Sequence, residues 1–304
     1  MKVLGIETAT GLGGVALIEG ETLRAEYRLE MTMMHAERLM VLIDRVLRDS
    51  GRSLDDLDVL AVSIGPGSFT GLRVAVNTVK GLVVGKPIPV AAVPTLEAMA
   101  WNASGGGCVV CPMIDAKKGE VYAALFSSEA GGGLKRVMED QVISPEALCE
   151  HLSKLSGPPT VFLGDGASRY REVLRKRLGP RSVFAPAPLW SALPSIVARL
   201  GLQRIERGEG SDARTLVPSY LRRADAEVNW EKGVTPRKLN LKRNRNQLSE
   251  HGEREGEAPS GSASESEDRA LPVRARGVGA SEEQSPHGSP QQIDGDASPY
   301  KSGR

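Results

Sequence analysis

The stretch that decides the fold of this sequence is residues 59–85, which read VLAVSIGPGSFTGLRVAVNTVKGLVVG. The first seven residues suit a buried strand, a Gly-Pro-Gly turn follows, and the remainder has helical spacing. A strand, a glycine turn and a helix start often form a phosphate site, because helix N-termini present free N–H groups to anions. The stretch therefore predicts either a nucleotide-binding loop or a turn that reverses the chain.

The spacing of the glycines excludes the two common nucleotide motifs. A Walker A loop requires G-x-x-x-x-G-K-[ST], but Gly65 and Gly71 are too far apart and no Lys-Ser/Thr follows. A dinucleotide fingerprint requires G-x-G-x-x-G, but Thr70 stands where the third glycine belongs, after Gly65 and Gly67. The residues leave two readings open, an N-cap at Ser68 or Thr70 and an anion site at the same helix start.

Outward from this stretch, the chain divides into two copies of one pattern. Residues 2–103 and 108–206 each predict the order β-β-β-α-β-α-β-α. In both copies an acid ends the first strand, Glu7 or Asp115, and a Gly-x-Gly turn follows the fourth strand. We therefore predict an α/β fold with two lobes, each a mixed sheet with helices on its faces. The expected domains are 1–104 and 105–232, the second including a closing segment, TLVPSYLRRADAEV, that packs back on the body.

Residues 233–304 differ in composition from the rest of the chain. They are rich in Ser, Glu, Gly and Pro and have few large apolar residues, so they cannot bury enough surface to offset the entropy of ordering. We predict a low-complexity, disordered tail. Its basic start is either a contact for RNA or a solvated charge run; the cations there are Arg237, Lys238, Lys242, Arg243 and Arg245.

The bulk composition limits the function classes. The 304 residues carry a net charge of +1, so no overall field requires nucleic acid or a membrane as partner. No apolar run reaches membrane-spanning length, and the N-terminus enters a strand directly, so we expect a cytoplasmic protein with no membrane contact.

The spacing Cys108-x-x-Cys111 lies in an apolar run, which indicates buried strand thiols rather than zinc ligands, and Cys149 is expected in the core.

The first hairpin, ETATGLGG, is a second candidate for phosphate contact. Glu7 ends the strand, the hydroxyls of Thr8 and Thr10 follow, and the glycines suit an anion pocket lined by backbone. A flexible hairpin turn explains the same residues. Histidines are scarce, and no two stand at helical i, i+4 spacing, so we expect no metal site.

The second helix of the first copy carries more apolar surface than one sheet can cover, and the first has apolar residues off its core stripe. Residues 35–50 have one core stripe, with Met40 and Val41 off it, and residues 71–84 have only a narrow polar strip. Either a neighbouring helix of the same lobe or a partner protein must cover the remaining surface.

These residues together resemble the TsaB (YeaZ-like) family. The resemblance covers about residues 1–230 and rests on VLGIETAT, HAERL, SIGPGSFTGLRVAV, VPTLEAMA and PSYLRR. It implies two tandem actin-like ATPase (ribonuclease H-like) lobes, each with a five-stranded mixed sheet. The tail beyond residue 236 departs from the family pattern.

The resemblance also implies a function. It implies a non-catalytic scaffold or dimerisation subunit for making threonylcarbamoyladenosine next to the anticodon of tRNAs that read ANN codons. Catalysis then belongs to TsaD, a TsaE ATPase joins the assembly, and tRNA binds through the complex. The chain needs no cofactor and no metal, although residual ATP or ADP binding remains open at Glu7, Thr8, Thr10, Gly65, Gly67, Ser68, Thr70 and Gly71.

The partner interface implied by the resemblance lies on the first two helices. A homodimer and a heterodimer with TsaD would use the same surface. The residues expected there are His35, Leu39, Met40, Leu72, Arg73, Val76, Val79 and Val83. Two other classes remain as alternatives, an active ATPase or small-molecule kinase of the actin-like superfamily, and a protease, for which the sequence offers no nucleophile and base.

Overall fold

The computed structural model describes residues 1–30, 36–129, 131–155 and 157–222. In these residues the strands form two five-stranded sheets whose orders correspond, β3-β2-β1-β4-β5 and β8-β7-β6-β9-β10. The strands of the first sheet are β1 (Lys2–Glu7), β2 (Leu12–Glu19), β3 (Thr22–Glu30), β4 (Val59–Gly65) and β5 (Val90–Pro94). Those of the second are β6 (Val109–Lys117), β7 (Glu120–Ser128), β8 (Leu134–Ile143), β9 (Thr160–Leu163) and β10 (Ser182–Phe184).

Seven helices in the described ranges connect and cover these strands. They are α1 (Ala36–Asp49), α2 (Phe69–Leu82), α3 (Thr95–Ala100), α4 (Pro145–Lys154), α5 (Asp165–Arg169), α6 (Arg171–Leu178) and α7 (Pro194–Glu206). The predicted doubled pattern is confirmed, except that the helix expected at about 167–178 is two helices, α5 and α6, separated by Tyr170.

Each sheet is mixed because the first three strands run as antiparallel neighbours and the others follow by helical crossovers. β1 pairs antiparallel with β2 and parallel with β4, and β6 pairs in the same way with β7 and β9. Strand β4 is apolar and buried almost throughout, as expected for a parallel central strand covered on both faces.

The last helix of each half packs across the boundary between the halves. α3 contacts β6 and β7, whereas α7 lies on β1, β2, β4 and β5 of the first sheet. Gly5 and Gly201 allow this close approach, since a Cβ at Gly201 would lie 2.3 Å from Cβ of Ala61. One apolar cluster therefore includes both Val3 and Phe126, and both sheets lie in a single compact unit. The domain limits 1–104 and 105–232 remain a prediction. Helix α7 falls within the second of these ranges but packs on the first sheet.

The closing segment returns to the first lobe as expected. Within this segment, Ser219 N–H donates to Ile64 O at 2.7 Å and Leu216 is buried with the first-lobe core. Just before it, Ser211 N–H donates to Val90 O at 2.7 Å. The predicted tail, 233–304, and His35 lie outside the described residues. No helix in the described part of the chain is long and apolar enough to cross a membrane.

The cysteine interpretation agrees with the structure. Cys111 is buried in β6, Cys149 is buried in α4, and Cys108 is half-buried just before β6. Burial raises the pKa of the Cys111 thiol, so this group behaves as a small apolar side chain. In the described ranges, His, Cys, Asp and Glu form no group of three that could hold a metal ion.

Candidate functional site

The carboxylate of Glu7 closes the first hairpin from inside. Glu7 ends β1 and is fully buried, and its Oε1 accepts hydrogen bonds from the N–H groups of Ala9 (2.7 Å) and Thr10 (2.8 Å). The Thr10 hydroxyl donates to the same oxygen at 3.1 Å. These are the groups that a bound phosphate would use in a backbone-lined pocket. The side chain of Glu7 thus occupies the anion position of its own hairpin.

Burial raises the pKa of Glu7, and the nearby Ser63 hydroxyl and the hydrogen bonds from Thr10 and Ala9 oppose the rise. The Ser63 hydroxyl is close enough to affect the carboxyl group, but within the described residues neither Ser63 Oγ nor Glu7 Oε2 makes a hydrogen bond of good geometry. The carboxyl group is therefore held firmly by one oxygen only.

The glycine turn packs directly on this hairpin. Ser68 N–H donates to Ala9 O at 2.8 Å, and Thr8 Oγ1 donates to Gly71 O at 2.8 Å. A Cβ at Gly71 would lie 2.0 Å from Thr8 O, so only glycine permits this approach. Ser68 Oγ accepts from Gly71 N at 3.2 Å and is the N-cap of α2. Of the two readings of this helix start, the capped helix is the one the hydrogen bonds support.

Seven of the eight residues predicted for the anion loop are in this junction, and Thr70 is not. Gly65, with φ +118°, donates its N–H to Thr95 Oγ1 at 3.1 Å, and Gly67 lies against Ala9 O. Thr70 is exposed and lines a separate groove on the outer side of α2.

The second lobe repeats the arrangement with different residues. Asp115 accepts from Lys117 N–H at 3.0 Å and from Lys117 Nζ at 2.8 Å, and Arg169 Nη1 lies 3.3 Å away. Burial raises the pKa of Asp115, but the hydrogen bonds and charges of Lys117 and Arg169 lower it by more. The net pKa is below the ordinary value, so the group stays ionised. Lys117 and Lys118 adopt left-handed conformations, with φ of 62° and 56°. The sequence predicted Asp115 but missed Lys117 and Arg169, although the doubled pattern points to the β6–β7 hairpin.

A cleft of about 710 Å³ separates the two hairpins. The first lobe contributes residues 9–12, Gly67 and Ser68, and the second contributes residues 114–117, Tyr122, Asp165, Ala187, Trp190 and Ser191. Asp165 Oδ1 accepts from the N–H groups of Asp115 and Gly166 at 3.1 and 2.8 Å. The carboxylates of Asp115 and Asp165 at the cleft thus accept hydrogen bonds from N–H groups of their own lobe. The cleft has room for a small molecule, but the hairpin donors that would hold phosphate point to Glu7.

The outer face of α2 forms a second candidate site, the α1–α2 groove, of about 470 Å³. It is lined by Ala36, Phe69, Thr70, Arg73, Val74, Asn77 and Thr78. Phe69 stacks against Tyr220 with ring centroids 5.1 Å apart, and the Arg73 guanidinium lies 4.4 Å from the Phe69 centroid. Phe69, Tyr220 and, on α1, Met40 are each about 40 % exposed. This face combines aromatic, aliphatic and arginine surface, the composition of protein interfaces.

The structure corrects half of the predicted interface. The side chains buried in the core of the first lobe are Leu39, Leu72, Val76 and Val79. Helix α1 packs on β2 and β3, and α2 packs on β4 and α1, so these four side chains offer no exposed surface to a partner. Met40 and Arg73 are exposed and Val83 is half-buried, whereas His35 is outside the described residues. Phe69 and Tyr220 were missed, although Phe69 stands in the quoted stretch.

Comparison with known proteins gives a consistent result. The family described as "TsaD: tRNA N6-adenosine threonylcarbamoyltransferase" matches residues 30–230. The tRNA threonylcarbamoyladenosine biosynthesis protein TsaB of Bacillus subtilis is 34 % identical over 230 residues, covering 76 % of this chain and 98 % of the relative. The Escherichia coli protein of the same name is 36 % identical over 237 residues, with the same coverage of both chains.

Among solved structures, YeaZ from Pseudomonas aeruginosa is similar with a TM-score of 0.60 and 28 % identity. It covers 72 % of this chain and 99 % of its own. The relatives match over nearly their whole length. The chain therefore belongs to the TsaB family of tRNA threonylcarbamoyladenosine biosynthesis proteins.

Proposed function

We propose that this chain is the non-catalytic scaffold subunit of the machinery that makes threonylcarbamoyladenosine on tRNA. Membership of the TsaB family over nearly the full length of its relatives carries the proposal. The chain acts in the cytoplasm with a TsaD-type transferase as catalytic subunit and a TsaE-type ATPase. The substrate is the adenosine next to the anticodon of tRNAs that read ANN codons.

The hairpin N–H groups that an ATPase would use for phosphate are already hydrogen-bonded to Glu7, which supports a scaffold. In the first lobe the Glu7 carboxylate takes the N–H groups of Ala9 and Thr10, and phosphate binding would require its displacement from a fully buried position. A phosphate at this place would also meet a carboxyl group, which favours an anion nearby only when that group is protonated. The first hairpin thus serves as a structural part of the fold rather than as a phosphate site.

The α1–α2 groove is the proposed docking surface for the TsaD-type subunit. Phe69 and Tyr220 supply a tilted aromatic pair, Arg73 is held over Phe69, and Met40 extends the exposed surface onto α1. The buried residues below, including Val76, fix the position of the helix without touching the partner. A homodimer would use the same face, so partner and homodimer should compete.

Co-purification with the organism's TsaD-type protein tests the proposal. The wild-type chain should form a complex on a sizing column, and any homodimer should disappear as that partner is added. Arg73→Glu should weaken the complex at least tenfold, because interface arginines stacked on aromatics are frequent hot spots. Lys135→Glu, an exposed lysine on β8, is the matched control and should leave the complex intact. A homodimer that persists beside the partner, or equal behaviour of the two variants, would contradict this surface.

An active ATPase is the alternative, favoured by the volume of the interlobe cleft. Calorimetric titration of the chain with ATP and magnesium separates the two functions. The scaffold predicts no turnover by the chain alone, and Glu7→Ala then leaves background hydrolysis unchanged. Turnover by the pure wild-type chain that Glu7→Ala abolishes would establish the ATPase instead.

A further inference from the structure

A strip of positive charge lies on the second lobe, on α6 and the end of α4. We call it the α6 basic face and define it by Lys154, Arg171, Arg175, Lys176 and Arg177. The two helices contact each other, and Lys154 and Arg177 border one groove of about 360 Å³ between them. The acids on these helices are Glu146, Glu150 and Glu172, so cations are in excess and cluster in the last turn of α6.

The cations of this face are largely unpaired. Among the described residues no carboxylate lies within 4.0 Å of Arg171, Arg175 or Lys176, and Arg177 reaches Glu150 only at 3.9 Å. Both arginines on the β10 side are held in position, since the guanidinium groups of Arg171 and Arg175 lie 4.3 and 5.5 Å from the Phe184 ring centroid. Held guanidinium groups that keep their N–H donors free are suited to phosphate oxygens.

The arrangement exceeds what helix stability needs. One or two cations in a last turn interact favourably with the helix dipole, but Arg171 is in the first turn, and residues 175–177 spread around the helix from β10 toward α4. Arg171 and Arg175 are four residues apart on this short helix, and like charges at that spacing repel one another. A polyanion that neutralises them removes this repulsion and releases its own counterions.

We propose that the α6 basic face contacts the phosphate backbone of tRNA. The inference rests on the proposed function, in which tRNA is the substrate of the assembly, and adds a contact of this subunit with that substrate. The face lies on the second sheet, whereas the docking groove lies on the first, so both can be used in one complex. Such contacts position the RNA and carry no sequence information.

The test is tRNA binding by the full chain, measured by fluorescence anisotropy with a labelled, unmodified tRNA transcript at several salt concentrations. The wild-type chain should bind with an affinity that falls steeply with salt. Lys176→Glu should weaken binding several-fold and reduce the salt slope by about one unit, as expected for the loss of one phosphate contact. Lys135→Glu makes the same charge change on β8 of the same lobe and should alter neither quantity beyond about twofold.

The double variant Arg175→Glu with Lys176→Glu should reduce the slope by about two units. Circular dichroism establishes that it folds, and Arg175→Gln with Lys176→Gln replaces it if it does not. All these variants should still co-purify with the TsaD-type subunit, whereas Arg73→Glu should lose that subunit and keep tRNA binding, which separates failure of this inference from failure of the proposed function. The inference is overturned if the wild-type chain does not bind the transcript, if Lys176→Glu and Lys135→Glu behave alike, or if the α6 variants lose only the protein partner.

Discussion

Glu7 ends β1, and Asp115 lies two residues before the end of β6. Each carboxylate accepts backbone N–H groups from the residues just after it, two for Glu7 and one for Asp115. Their surroundings set their protonation in opposite directions. Glu7 is fully buried, and burial raises its pKa, whereas Lys117 and Arg169 outweigh the burial of Asp115 and lower its pKa. One position in a duplicated fold thus carries an acid whose pKa is raised by burial in one lobe and an ion pair in the other.

Replacement of Glu7 separates its acceptor function from its charge. Glu7→Ala leaves two backbone N–H groups without their acceptor and should lower the free energy of unfolding by about 2–4 kcal/mol. Glu7→Gln keeps an acceptor oxygen and should change it by less than about 1 kcal/mol at neutral pH. Chemical denaturation of the two variants measures the difference, and equal losses would show that the carboxyl charge, not the acceptor, holds the hairpin.

The raised pKa of Glu7 also predicts a pH dependence. Between the ordinary value of 4.5 and the raised folded value, the folded chain holds a proton that the unfolded chain has released. Protonated Glu7 therefore stabilises the folded chain. This stabilisation is complete below the unfolded pKa and is lost as the pH rises through the folded pKa. Denaturation midpoints across this range should therefore decline less with pH in Glu7→Gln than in the wild type. An unchanged pH profile would place the folded pKa at its ordinary value.

At the scale of the element, α2 divides its surface between the lobe core and the solvent. Leu72, Val76 and Val79 are buried, while Phe69, Arg73 and Asn77 face outward. Its N-terminus is fixed twice, by the Ser68 cap and by the contact of Gly71 with Thr8. The helix therefore presents its outer face in one orientation, as a docking surface requires.

A charge on the inner face of α2 should unfold the lobe. Val76→Glu places a carboxylate at a position that is 2 % exposed, which costs several kcal/mol without a partner. Asn77→Glu makes the change at the neighbouring exposed position and should leave the thermal midpoint within about 2 °C of the wild type. Thermal unfolding followed by circular dichroism measures both, and a folded Val76→Glu chain would contradict the burial of this residue.

Helix α7 should be equally sensitive where it crosses the first sheet. In Gly201→Ala the new Cβ meets Cβ of Ala61 at 2.3 Å, and overpacking of this kind should lower the free energy of unfolding by about 1–3 kcal/mol. Gly81→Ala is the control, because a Cβ there meets nothing within 4 Å and should stabilise α2 by about 0.5–1 kcal/mol. Denaturant titration of both variants decides the point, and a neutral Gly201→Ala would mean that α7 shifts to accommodate the methyl group.

At the scale of the whole molecule, the two lobes are joined by exchange of helices as well as by the chain. α3 contacts both sheets, α7 packs on the first, and residues 211–222 return to the first lobe. Arg222 donates from Nη1 to Ala116 O at 2.7 Å, so this last described segment also contacts the second hairpin. Because Ala116 lines the interlobe cleft, this segment reaches the edge of the cleft from the first lobe.

The tail should be dispensable for this body. A chain that ends at Lys232 keeps every contact described for residues 1–222, so its thermal midpoint should stay within about 2 °C of the full chain. Calorimetry of the two chains provides the measurement. A midpoint lower by several degrees would show that residues 233–304 stabilise the body and would contradict the predicted disorder.

The sequence by itself determined the elements, the doubling and the family. Strand and helix periods, the glycine turns at 65–67 and 164–166, and the core stripe of α1 are local or repeated patterns, and local patterns survive in any tertiary arrangement. The same patterns identified Glu7, Asp115 and the Ser68 helix start.

Only the tertiary structure decided what these residues contact. Helical spacing shows that Val76 and Phe69 are apolar, but the sheet beneath α2 determines that Val76 is buried and Phe69 is exposed against Tyr220. Likewise, the hairpin after Glu7 suggested phosphate contact, whereas the folded hairpin directs the Glu7 oxygen to the N–H groups of Ala9 and Thr10. These outcomes depend on contacts between residues distant in sequence or on backbone direction at a turn, and neither is encoded in the period of a single element.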